Sequence, residues 1–462
     1  MSDVQAELAK IELAEKDARG SALVELFSAR EKLLEERGAE LLGGVAPFAK
    51  RWPNAVTFRE GFVDSVVRPA EHKAEGKLVD ALPLSSLLAA FELPAFARCR
   101  AITSNRWRGA PPASTERLAF WQTVITEELM ALENLRELRA GRVVASVPLS
   151  HPRLEKLTVT WAGPIARLLK EAKLPALKML AVMGLGRRTS TPAAVADAIA
   201  SLPAETVFLE VQGKVGPHGW GTEELRALEP VANRIEGLQW SGTPAQFDVA
   251  LPKLRRLWLD LHVMPARHSA PTTLPELSVD ELALFARGRG AHLKPLATQL
   301  AASDLVAKAR VLHLRAPDRV FLSLFDKPLE HLEELSYFTG GTIDTPVSNE
   351  LLQKDAFPRV RRLSLFEASQ LEGLASSALA ARIEELSVGF MTDRCVASWV
   401  AVRKKLTKLR TLVVRGGRGF GKEARAALYD GDHQVIWAEN DSEAARRFLD
   451  IDRGDPGMVA FH

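Results

Sequence analysis

A short phrase, apolar-x-x-Leu-x-apolar, returns along most of this chain and limits what it can fold into. It reads Leu332-Glu-Glu-Leu335-Ser-Tyr337, Val360-Arg-Arg-Leu363-Ser-Leu365, Ile383-Glu-Glu-Leu386-Ser-Val388 and Leu409-Arg-Thr-Leu412-Val-Val414. A phrase recurring every ~20–30 residues marks a solenoid, in which each unit is one strand plus a return segment. One unit cannot bury its own apolar side, so neighbours must stack. A stack of this kind favours a binding surface over a catalytic pocket.

The first positions of the phrase fall at Cys99, Leu135, Leu154, Leu177, Thr206, Ile235, Leu254, Val279, Ala309, Leu332, Val360, Ile383 and Leu409. Strand side chains alternate faces, so the fourth and sixth positions point into the core and the third, fifth and seventh point outward. Pro often sits just upstream, as Pro152, Pro175 and Pro252, where a missing N–H costs little. Between phrases lie helical stretches at 164–170, 193–200, 295–300 and 396–406. The N-terminal 2–43 is helical by its three-and-four spacing of Leu and Ala.

The core phrase Leu-x-x-Leu-x-Leu over residues 135–415 resembles that of bacterial leucine-rich-repeat proteins. The stretch from Leu33 to Pro47, followed by Phe58-Arg-Glu-Gly-Phe-Val-Asp-Ser-Val66, is similar to the segment preceding the repeats in the repeat-companion family of those proteins. The resemblance implies an α/β leucine-rich-repeat solenoid, with parallel strands on a concave face and helices or irregular segments on a convex one. It also implies a non-catalytic scaffold or recognition protein with a protein partner on the concave sheet. One departure is consistent: the turn place that holds Asn in the consensus holds Ala162, Thr243, Gly340 or Gly417 here, which implies an irregular stack. The expected organisation is a helical companion or N-terminal cap region at 1–80 with a β segment near 56–67, the irregular solenoid at 81–416, and a C-terminal cap at 417–462.

Charge is patterned. The two residues after the first position read Glu236-Gly237, Arg255-Arg256, Asp280-Glu281, Arg310-Val311, Glu333-Glu334, Arg361-Arg362, Glu384-Glu385 and Arg410-Thr411, so the sign flips at every step. Equivalent positions of parallel neighbours lie ~4.8 Å apart, so this predicts a cross-strand ion-pair ladder that discourages register slips. Earlier units stand outside the pattern on this reading, since Glu155-Lys156 is mixed and Val207-Phe208 is uncharged. The outward positions supply the candidate partner-binding residues: Arg256, Trp258, Asp260, Phe285, His313, Arg315, Phe338 and Phe366. Large aromatics beside Arg are the usual anchors of interfaces. The alternative is that these rings pack on one another.

Other classes fit less well. The 61 basic and 58 acidic residues leave a formal charge of +3, and the two signs interleave, which disfavours nucleic acid. No run suits a membrane span and the N-terminus lacks a leader pattern, so the expectation is a cytoplasmic protein with Cys99 and Cys395 as reduced thiols. Gly416-Gly-Arg-Gly-Phe-Gly421-Lys422 mimics a phosphate loop, but Glu423 stands where Ser or Thr must hold magnesium. A nucleotide-dependent switch or enzyme using 416–422 is therefore the rival function, and a self-assembling structural protein is a third. No catalytic residue, metal ligand or cofactor is assigned. The scattered histidines have no ligand spacing.

Overall fold

The computed structural model describes residues 2–438 except 19, 52–54, 69–72, 75–76, 79–81, 108, 146, 162–164, 187–190, 214–218, 243–248, 263–273, 275–276, 288–292, 316–318, 339–349, 366–367, 390–394 and 416–421. The fold is α/β, and seventeen strands take part in large, mostly parallel sheet structure. The chain divides into two units, one of Met1–Met183 with Asp197–Thr206, the other of Gly184–Ala196 with the described part of Val207–Arg453.

The first unit begins with helices α1 (Asp3–Asp17), α2 (Gly20–Leu42) and α3 (Ala46–Arg51). A reciprocal cap starts α1: the Ser2 N–H donates to Gln5 Oε1 at 2.7 Å, and the Gln5 N–H donates to Ser2 Oγ at 3.3 Å. Arg30 and Glu15 tie α2 to α1 at 2.8 Å. Strands β1 (Val56–Arg59) and β2 (Phe62–Arg68) form an antiparallel hairpin whose Gly61 N–H donates to Glu12 of α1 at 2.9 Å. A small hairpin follows, β3 (Lys73–Ala74) and β4 (Lys77–Leu78). Parallel pairing then runs from β2 through β5 (Ala101–Trp107), β6 (Arg117–Ile125), β7 (Glu137–Ala145), β8 (Lys156–Thr160) and β9 (Met179–Leu185).

Strand β6 was not legible as a repeat, because its first position is Thr115 rather than an apolar residue. Thr115 is nevertheless fully buried, and its N–H is satisfied by the Pro112 carbonyl at 3.0 Å. Trp107 and Phe120 stack at 5.2 Å in this part of the core. His151 is buried as a neutral imidazole: Nδ1 accepts from the Arg153 N–H at 3.2 Å, so Nε2 carries the proton it donates to the Leu132 carbonyl at 2.8 Å.

In the second unit β10 (Thr206–Gln212), β11 (Ile235–Gly242), β12 (Arg256–His262), β13 (Glu281–Arg287), β14 (Val311–Arg315), β15 (Glu334–Phe338), β16 (Arg362–Leu365), β17 (Glu385–Gly389), β18 (Thr411–Arg415) and β19 (Gln434–Ala438) pair in chain order, all parallel. The fourth-position leucines, from Leu209 on β10 to Leu412 on β18, form one buried file, each at most 2% exposed. Burying each contributes ~1.5–3 kcal/mol, which fixes which face turns inward. The return helix Lys294–Ala302 starts with Pro295 in its first turn and buries Leu296, Ala297 and Leu300. The helix Val396–Arg403 buries Trp399 and Val402. Other returns are short 3₁₀ turns, such as Glu229–Arg234 and Ala378–Arg382.

Candidate functional site

Register sorts the outward side chains into columns. The residue just before the third position forms a rim column at the strand starts. In the first unit that column is Asp64, Arg100, Glu116, Arg136, Glu155, Lys178 and Glu205. Each backbone N–H donates to the carbonyl of the residue before it in this series, at 2.8–2.9 Å. The sign alternates without a break. Glu155 takes Arg136 at 3.3 Å on one side and Lys178 at 2.9 Å on the other, and Asp64 pairs with Arg100 at 2.6 Å. The expectation that the early units stand outside the pattern is therefore corrected. On β6, β7 and β8 the third position carries the opposite sign to the rim: Arg117 beside Glu116, Glu137 beside Arg136, Lys156 beside Glu155. Reading the two positions together cancelled two alternating columns.

In the second unit the rim column is Glu236, Arg255, Asp280, Arg310, Glu333, Arg361, Glu384 and Arg410, also alternating. Here rim and third position share a sign, which is why the pattern was legible. Arg310 meets Glu333 at 2.8 Å, Arg361 meets Glu384 at 3.2 Å, and Arg410 lies 3.8 Å from the other oxygen of Glu384. The Arg310 hydrogen bond holds the Glu333 carboxyl below its usual range, as the Lys178 hydrogen bond does for Glu155.

The open face, carrying the third, fifth and seventh positions, holds the predicted partner-binding residues. Arg256 is half-buried, pairs with Glu281 at 3.7 Å, and places its guanidinium 5.6 Å from the Phe208 ring. Trp258 is 7% exposed and stacks on Phe285 at 4.7 Å with 12° between the planes. This is the ring-on-ring packing that the sequence held open as the alternative. Asp260 is buried beside Phe285 in register. His313 is fully buried, its Nε2 3.5 Å from Glu281 Oε1. Arg315 and Phe338 occupy one column at the ends of β14 and β15, and Phe366 lies outside the described residues.

Sequence reasoning missed Glu281, Glu334 and the serines of the fifth position. Glu334 is buried and pairs with Arg362 at 3.1 Å. Ser336, Ser364 and Ser387 are direct neighbours on β15, β16 and β17. Their signal was present as the repeated Leu-Ser in the phrase. In the first unit the matching position holds Arg139, buried and ion-paired to Glu137.

The Gly-rich segment 416–421 lies outside the described residues, and Lys422 opens the helix Lys422–Tyr429. Burial pushes the Cys99 thiol up to about 12, so it is an inert core thiol. Among the described residues no three His, Cys, Asp or Glu are placed to hold a metal ion, and no helix is long and apolar enough to cross a membrane.

No protein-family profile matches the chain, and no curated protein matches it. Among solved structures, a Bacteroides fragilis protein determined as a structural-genomics target is similar at 14% identity and a TM-score of 0.28. The match covers 62% of this chain and 65% of that one, so the chain spans less than two thirds of its neighbour.

Proposed function

We propose that this is a non-catalytic, cytoplasmic recognition or scaffold protein of the leucine-rich-repeat type, which holds a protein partner on the open sheet face. One observation carries the reading. From β11 to β18 the strands pair parallel and in register, so equivalent outward residues become continuous columns of Arg, Glu, Ser and aromatic side chains. A broad array of fixed polar and aromatic groups suits surface recognition. Val311 and Gln239 are half-buried points on that face. A photo-crosslinking residue at either one should capture a protein partner, whereas one at Lys308, an exposed residue of a return helix, should not. Capture from Lys308 alone would move the site off the sheet.

A further inference from the structure

The middle column of the open face in the second unit runs Ala283, His313, Ser336, Ser364 and Ser387 on five successive strands. All are at most 5% exposed. Two of them hold polar atoms with no hydrogen bond: both ring nitrogens of His313 and the hydroxyl of Ser364. The Glu281 oxygen 3.5 Å from His313 is too far for a good one. Burying such groups unpaired costs stability, and a fold whose only task was to stack would place Ala or Val there.

The surroundings set the chemistry of what fits. Glu281 is matched by Arg256 at 3.7 Å and Glu334 by Arg362 at 3.1 Å, so the stripe offers no net charge to an ionic ligand. A neutral imidazole presents one N–H and one lone pair, and a serine hydroxyl can act either way. The complement is a neutral group that carries a donor and an acceptor side by side. We propose that this stripe is a subsite for an amide of a polypeptide partner, either a peptide group or an Asn or Gln side chain, with His313 and Ser364 as the hydrogen-bonding residues. A carbohydrate also offers paired donors and acceptors, but it needs an open aromatic face to stack on. Trp258, the large ring on this face, gives its plane to Phe285.

The inference rests on the open face being the recognition surface, and its test is separable from that reading. The variant is Ser364→Ala, and the probe is the neutral peptide acetyl-(Asn-Ala)3-amide, with cellotetraose and inorganic phosphate as comparators. The peptide should shift the side-chain nitrogen resonances of His313 in the full-length protein, and the comparators should not. Ser364→Ala should bind the peptide about tenfold more weakly, the loss of one hydrogen bond, while its Tm holds or rises. A His313→Phe variant should show the same division between affinity and stability. The proposal is overturned if Ser364→Ala lowers the Tm, if it binds the peptide as the parent does, if a comparator alone moves His313, or if saturating peptide moves nothing. A partner crosslinked from Val311 that ignores Ser364→Ala would sink this subsite and leave the open-face reading intact.

Discussion

Lys178 Nζ lies 2.9 Å from Glu155 Oε2, joining the starts of β8 and β9. Glu155 is the middle of an Arg136–Glu155–Lys178 triplet on an exposed rim, and such pairs contribute only ~0.2–1 kcal/mol each. Glu155→Gln should therefore cost about 0.5–1 kcal/mol in chemical denaturation, and most of that loss should vanish in ~1 M salt, where the Debye length is ~3 Å. The carboxyl is held below its usual range, chiefly by the Lys178 hydrogen bond. Its contribution is thus present above the ordinary carboxylate pKa and is lost as pH falls through the depressed one. A salt-independent loss would mean that Glu155 acts through packing.

Two ion pairs on adjoining strands should differ sharply in worth. Arg310–Glu333 sits on the rim with side chains 57% and 40% exposed, whereas Glu334, paired to Arg362, is 4% exposed. Arg362→Met removes an ion-pair partner from a buried carboxylate and should cost about 2 kcal/mol. Arg310→Met should cost about 0.5 kcal/mol. Adding Glu334→Gln to Arg362→Met should recover much of the loss, since an amide needs no counter-charge. Equal costs for the two Arg variants, measured by urea midpoints, would contradict this account.

The inward face was readable because burial of Leu257, Leu282 or Leu386 enforces the same residue type in every unit. The outward face was only partly readable. Nothing forces Thr115 to be apolar once its N–H is satisfied locally, so β6 stayed hidden. The first-unit ladder stayed hidden because Glu116-Arg117 and Arg136-Glu137 are neutral when summed, and only register separates rim from face. The column position of His313 was clear from the phrase, but its burial between Ala283 and Ser336 depends on the size of cross-strand neighbours.

His433 offers a pH test of the C-terminal end of the second unit. Its Nε2 donates to the Leu428 carbonyl at 2.8 Å, and its ring meets Trp399 edge-on at 5.5 Å. Trp399 Nε1 donates to the Ala427 carbonyl at 2.9 Å, and Arg403 pairs with Asp430 at 2.6 Å nearby. Burial is the largest influence on His433 and pushes its pKa down; Arg403 acts the same way, while the Leu428 hydrogen bond, Asp430 and Asp432 oppose it. The folded state therefore binds fewer protons than the unfolded one. Stability from this group is full above the ordinary histidine pKa and is lost as pH falls through the lowered value. Trp399 fluorescence should report an acid transition in the parent that is reduced in His433→Asn. An unchanged transition would assign it to other groups.

Gly237 explains why the charge pattern lapses at the third position of β11. A Cβ there would stand 2.2 Å from the Phe208 ring, which is buried against it on the neighbouring strand. The register between β10 and β11 shifts at Val207/Phe208, which sets Phe208 opposite Gly237. Arg256, on the far side of Gly237, lies over the same ring at 5.6 Å. Any side chain at Gly237 must displace the ring, so Gly237→Ala should destabilise by about 2 kcal/mol, within the usual range for overpacking. Adding Phe208→Leu should return part of that loss, because the smaller side chain leaves room for the new methyl. The reading is checked by urea midpoints at constant m-value. If Gly237→Ala is neutral, Phe208 is free to move and the lapse in charge has another cause.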